Sequence, residues 1–193
     1  PDREPFLGRY AEDAPGVMEQ QLRWMKQYGI DFAVFNWYWT RDNTPVFDHA
    51  LKAYLNLSNK QGVKFAVQWS NHTDYNFSRE QLDAMFRYWV NNYFKRPDYQ
   101  LFNGKPAVYI FLSNYWTRNA AAVGMTSSQL IERLDAVAKA AGLPGVSVIG
   151  GLWGGDKTQD YSLGNGFAAL TMYNYHSPAN IALVPSREGN YSR

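Results

Sequence analysis

Five times along the chain a glycine opens a short apolar run: Ile30–Phe35 after Gly29, Val63–Gln68 after Gly62, Pro106–Phe111 after Gly104, Val146–Ile149 after Gly145 and Phe167–Met172 after Gly166. Nearly continuous apolar runs of this length mark strands buried on both faces of a parallel sheet. Between the first four glycines the chain is long enough each time for a strand and a returning helix, so the pattern predicts a repeating βα unit. The interval from Gly145 to Gly166 leaves little room for a full helix. A further, opening strand is read at Phe6–Tyr10, short and ending in a ring.

Four helices are predicted between these strands. Met18, Leu22 and Met25 recur at helical spacing after Pro15, which suits a first helical turn, giving a helix from Pro15 to Tyr28. A second, from Phe47 to Gln61, carries His49, Leu51, Tyr54 and Leu55. The third opens with Ser78-Arg-Glu-Gln81, a capping box, and continues with Leu82, Met85, Phe86, Trp89, Val90, Tyr93 and Phe94 on one face. That aromatic stripe reads as the face that covers the sheet. A second capping box, Thr126-Ser-Ser-Gln129, opens the fourth, with Leu130, Ile131, Leu134 and Val137 behind it and Gly142 and Pro144 after it. The expected fold is α/β: a parallel (β/α) barrel of TIM type, one domain over residues 1–193, with about six strands in this chain. A closed barrel takes eight strands and roughly 250 residues, so six strands imply part of a longer barrel chain, an open sheet or a reduced barrel, and the first, a barrel continuing past Arg193, is the favoured expectation.

Composition narrows the partners. Net charge is +2 with 19% charged residues and no basic run, so nucleic acid is not an expected partner. Aromatic residues make up 17% of the 193, including 7 Trp and 14 Tyr, and many of the rings fall at predicted strand ends. There is no cysteine, which excludes disulfides, thiolate metal sites and a cysteine nucleophile. No stretch is apolar for long enough to span a membrane, and no signal peptide precedes the barrel pattern. The opening Pro1-Asp-Arg-Glu-Pro-Phe-Leu7 reads as the interior of a longer precursor or as a processed end.

In (β/α) barrels chemistry gathers at the carboxyl ends of the strands. Those ends here hold rings, amides and imidazoles. A pyranose has one face of C–H bonds, and stacking it on a flat ring removes apolar area from water on both partners. Planar amides then suit its hydroxyls. The candidate substrate-binding residues are accordingly Tyr10, Asn36, Trp37, Trp39, Gln68, Trp69, Asn71, His72, Asn114, Tyr115, Trp153, Tyr173, Tyr175 and His176. Because side chains alternate along a strand, one of Trp37 and Tyr38 is expected to pack under a helix.

Glycoside hydrolysis ordinarily uses two carboxylates flanking the bond. The predicted active face offers Asp42, Asp48, Asp74, Asp156 and Asp160, none on a strand end. Asp156, in the glycine-rich stretch behind Trp153, is the best single acid, and His72, as an imidazole able to serve as general acid or base, is the second catalytic candidate. His49, beside Leu51, reads as structural. No Gly-x-Ser-x-Gly, His-x-His or Glu-x-x-His occurs, so neither a serine nucleophile, a metal nor a cofactor is expected. Gly150-Gly-Leu-Trp-Gly-Gly155 lacks the Gly-Lys-Ser/Thr ending of a phosphate loop.

Three segments together carry a resemblance: Gln27-Tyr-Gly-Ile-Asp31 before an aromatic strand end, Gln68-Trp-Ser-Asn71, and Tyr93-Phe-Lys-Arg-Pro-Asp-Tyr-Gln-Leu-Phe-Asn-Gly-Lys-Pro-Ala-Val-Tyr-Ile110. Over roughly residues 5 to 115 the chain resembles the WbsX-like proteins and the related glycoside hydrolase family 99, endo-acting α-mannosidases and mannanases. The resemblance implies an eight-stranded (β/α) barrel acting on a glycan. Two departures limit it. WbsX-like proteins commonly carry a glutamate where this chain has His72, so no carboxylate role transfers there. The late His-x-Glu-Pro type segment that holds the family 99 catalytic pair has no counterpart here, so by this resemblance the main carboxylates lie beyond Arg193 or are absent.

The expected function is that of a glycan-processing enzyme, an endo-acting glycoside hydrolase on an oligosaccharide or polysaccharide. Two alternatives stand beside it. A non-catalytic carbohydrate-binding barrel fits the scarcity of strand-end acids. A glycosyltransferase fits because WbsX-like members are also described as such, although no Asp-x-Asp or dinucleotide fingerprint is present. A role in polysaccharide degradation implies a secreted or periplasmic location.

Overall fold

Parallel pairing organises the molecule. A computed structural model describes residues 8–152 and 165–172. The first half runs α1 (Val17–Gln27), β1 (Phe32–Trp39), the short β2 (Pro45–Val46), α2 (His49–Asn56), β3 (Lys64–Trp69) and α3 (Arg79–Trp89), which passes into a single π-helical turn at Val90–Phe94. The second half continues with β4 (Leu101–Phe102), β5 (Lys105–Ile110), α4 (Ser113–Ala122), α5 (Ser127–Ala140), β6 (Ser147–Leu152) and β7 (Ala169–Met172). The sheet order is β2-β1-β3-β5-β6-β7, with β4 paired to β5 off this path. Each neighbouring pair from β1 through β7 along that order is parallel, while the two-residue strands β2 and β4 pair antiparallel with β1 and β5.

The result is a curled, mostly parallel sheet with helices, part of a TIM-type (β/α) barrel, as the glycine-led runs predict. Among the described residues the sheet has seven strands, six of them along the main path, and five of those six are expected ones. Of the predicted opening strand, Phe6 and Leu7 lie outside the described residues, and Gly8–Tyr10 form no strand. The hairpin strand β2 takes the sixth place instead.

Period two sorts the sheet into two faces. The register Phe35↔Val67 and Trp37↔Trp69 places one set of side chains against the helices. There Trp37 and Trp69 meet Trp89 of α3 at ring distances of 5.5 and 6.2 Å, and Trp69 meets Trp116 of α4 at 6.0 Å. All four indoles are fully buried, with Phe65, Tyr54 and Phe86 around them. The aromatic stripe of α3 is thus the sheet-covering face its spacing implies. Both capping boxes form as read: Ser78 with Gln81, and Thr126 with Gln129.

Four differences from the sequence reading bear on the site. Strand β1 starts later than Ile30 and runs on through Trp39, because its ladder to β3 and its pairing of Tyr38 and Trp39 with Val46 and Pro45 keep the aromatic end extended. Helix α2 is shorter than Phe47–Gln61: Phe47 and Gln61 both hold positive φ, and Leu57 is already extended. Helix α4 was not expected at all, since its buried positions are Ser113, Trp116, Asn119 and Ala120, half of them polar. Finally, Gly150 and Gly151 are strand residues rather than loop, and every position of β6 is buried. A Cβ on Gly151 would run into the carbonyl oxygens of Ile110 and Phe111, so β6 crosses the end of β5 only with glycine there.

Candidate functional site

Partners in a parallel ladder lie side by side on the same face. The register Asn36↔Gln68, Gln68↔Tyr109 and Tyr109↔Ile149 therefore lines these residues across the concave face, opposite the indoles. A cavity of about 300 Å³ sits over this row, lined also by Val34, Phe111 and Thr171. That volume lies at the lower end of small-ligand pockets, which run from about 300 Å³ upward.

The floor is polar and neutral. Gln68 Nε2 donates to Asn36 Oδ1 at 2.9 Å, which fixes the two amide planes and leaves Asn36 Nδ2 as donor and Gln68 Oε1 as acceptor. Beside them Tyr109 is half-buried, and that burial pushes its phenol up from the ordinary value. It is a neutral O–H across the physiological range, able both to donate and to accept. At the mouth, Phe111 packs 5.1 Å from the His72 ring, His72 lies 6.2 Å from Tyr38, and Tyr38 lies 5.5 Å from Phe47. Among the described residues no Asp or Glu lines the cavity, and no group of three His, Asp or Glu gathers as a metal site. Amides, a phenol and rings suit a neutral, polyhydroxylated ligand.

The structure divides the sequence candidates. Asn36 and Gln68 form the floor, and His72 stands exposed on the rim. Trp37, Trp39 and Trp69 do not face the cavity. They are 0%, 3% and 0% exposed on the helix side, because strand alternation continues through the aromatic end and turns odd positions outward. The expected split of Trp37 from Tyr38 holds, and Tyr38 is the one on the ligand side. Asn71 is a correction of another kind. Fully buried, it donates from Nδ2 to Leu112 O at 2.8 Å and accepts from Leu112 N at 2.9 Å, so its amide continues the β3–β5 ladder by one rung after the strand has ended. Asn114 and Tyr115 sit on the first turn of α4, where Asn114 Oδ1 accepts from Tyr115 N and the Arg118 guanidinium lies 4.0 Å over the Tyr115 ring. Tyr10 lies by α1, its hydroxyl accepting from Gln21 at 3.2 Å. His49 is half-exposed and pairs with Glu12 at 3.0 Å. Trp153, Asp156, Tyr173, Tyr175 and His176 lie outside the described residues.

Sequence reasoning missed Tyr109, Phe111 and Thr171. Alternation puts Tyr109 and Phe111 on one face of their strand, but only the register of Tyr109 with Gln68 shows that this face lines the cavity. Thr171 follows from its register with Gly151.

Fold and cleft together define a (β/α)-barrel protein with a neutral, ring-rimmed cleft at the strand ends. No protein-family profile matches the sequence, and no curated protein matches it either. Among solved structures, one described as a "Glycoside hydrolase-like protein" superposes with a TM-score of 0.68 at 16% identity, over 89% of this chain and 54% of that one. The GH99 endo-alpha-mannosidase from Bacteroides thetaiotaomicron aligns with a TM-score of 0.46 at 13% identity, over 90% of this chain and 70% of that one. The chain has the fold of the glycoside hydrolase-like barrel and spans 54% of that protein's length. The likeness to glycoside hydrolase barrels read from the sequence is met at the level of fold. No helix among the described residues is long and apolar enough to cross a membrane.

Proposed function

We propose that this chain supplies the substrate-binding side of a glycoside hydrolase barrel acting internally on an oligosaccharide or polysaccharide. The observation that carries the reading is the row Asn36–Gln68–Tyr109 beneath the rings of Phe111 and His72. Its fixed amides and neutral phenol pair with sugar hydroxyls, and its rings cover the C–H face. In this reading Asp156 and His72 are the acid–base candidates within the chain, and the principal carboxylates come from the part of the barrel that follows it.

The experiment is release of reducing ends from a panel of polysaccharides by the full-length protein. Release is expected, with Asp156→Asn abolishing it and Asn36→Ala lowering kcat/KM by up to roughly tenfold, the worth of one neutral hydrogen bond. A second reading, a binding barrel without catalysis, is favoured by the lack of any carboxylate among the described lining residues. Tight binding with no release from any member of the panel would select it. Neither binding nor release would end the glycan reading.

A further inference from the structure

We infer that Phe47 forms an outer sugar-stacking position, so that the cleft takes a glycan chain of at least three units rather than a free monosaccharide; this rests on the glycan reading above. Phe47 is 73% exposed and holds φ 55°. Bulky residues rarely adopt that left-handed conformation, which glycine and asparagine enter readily. Neither burial nor backbone preference therefore accounts for phenylalanine here. The unusual backbone has a geometric result. It ends the chain leaving β2, delays α2 until after Asp48, and sets the Phe47 ring edge-on to Tyr38 at 5.5 Å and 81°.

From Tyr38 the rings continue to His72 at 6.2 Å and from His72 to Phe111 at 5.1 Å, and Phe111 lines the cavity. Four rings thus lead from an exposed lip to the amide floor, each step comparable to one sugar unit. The pair Phe47–Tyr38 is edge-on rather than stacked, and at its high exposure the Phe47 ring keeps a face open to solvent. Such a face takes the apolar side of a pyranose lying outside the one held over Asn36 and Gln68.

The test uses the full-length protein and isothermal titration with α-linked manno-oligosaccharides, cello-oligosaccharides and xylo-oligosaccharides of one to five units. Phe47→Asn removes the ring and suits the backbone. It is expected to lose about tenfold in affinity for chains of three units or more and under twofold for single sugars. Its thermal midpoint should be unchanged or raised, and Phe47→Trp should keep the length dependence. Equal affinity of Phe47→Asn and wild type at every length, with Asn36→Ala weakened throughout, overturns the Phe47 assignment and leaves the floor intact. An equal loss at all lengths, or a lowered midpoint in Phe47→Asn, overturns it as well. No binding by the wild type, or no effect of Asn36→Ala, fails the glycan reading itself and this inference with it.

Discussion

Replacing Trp69 with alanine separates a packing role from a ligand role for the aromatic strand ends. The indole is fully buried and meets Phe77, Trp89 and Trp116 at 5.7, 6.2 and 6.0 Å. Truncating a buried aromatic costs about 3–5 kcal/mol, and ring pairs contribute roughly 0.5–1.5 kcal/mol each beyond their area. With three such partners the upper part of that range is expected, about 4–5 kcal/mol. For a domain with a typical total stability of about 5–15 kcal/mol, this is severe. In urea unfolding followed by far-ultraviolet circular dichroism, a slope of about 2 kcal/mol per molar converts it to a midpoint lower by about 2 M. Two conservative changes sharpen the test. Trp69 Nε1 has no partner among the described residues, whereas Trp37 Nε1 donates to Tyr93 Oη at 3.0 Å. Trp37→Phe should therefore cost about 1 kcal/mol more than Trp69→Phe, because it strips a buried hydroxyl of its donor. A Trp69→Ala protein within about 1 kcal/mol of wild type, with glycan binding lost, would refute the packing argument and return the indole to the ligand.

Two further outcomes follow from the buried polar groups. Asn71→Ala removes both bonds to Leu112 and strands its backbone N–H and C=O, at a cost of about 2–4 kcal/mol; loss of hydrogen-exchange protection at the Leu112 amide reports it, and unchanged protection refutes it. Burial by itself would raise the Asp98 carboxyl, but Arg96, bonded at 3.0 and 3.1 Å, and Lys60 at 3.4 Å outweigh it and hold the carboxyl below its ordinary value. A depressed folded-state pKa gives stability that is present above the unfolded value and lost as pH falls through the folded one. Asp98→Asn should thus be less stable at pH 7 and lose less stability below about pH 4, and parallel acid limbs in the two proteins would refute the pairing.

How legible each part was depended on whether its cause is local. The capping boxes at Ser78 and Thr126 are satisfied within four residues, and the stripe of α3 repeats every turn, so both were readable. Helix α4 was not, because it buries Ser113 and Asn119 where an apolar stripe is looked for, and Asn119 is held by Phe77 N rather than by packing alone. The floor pair Asn36 and Gln68 was found because both stand at the ends of apolar runs. Their neighbours Trp37 and Trp69, candidates beside them, face the helices instead, because alternation runs on to the end of each strand and which face it assigns depends on what packs there. Tyr109 and Phe111 needed the register between β3 and β5, a long-range fact that no local pattern contains.

The segment between β3 and α3 is held at both ends by buried amides. Asn71 grips Leu112 at the near end, and at the far end Asn119 Oδ1 accepts from Phe77 N at 3.0 Å, both asparagines being fully buried. Between them the chain carries His72 on the rim, and Arg118 ties it down at the Thr73 carbonyl. The ends of the segment are thereby fixed to the sheet side and to α4 independently of the exposed residues between them. The exposed His72 can thus change what the rim presents while the two anchors hold the path of the chain beneath it.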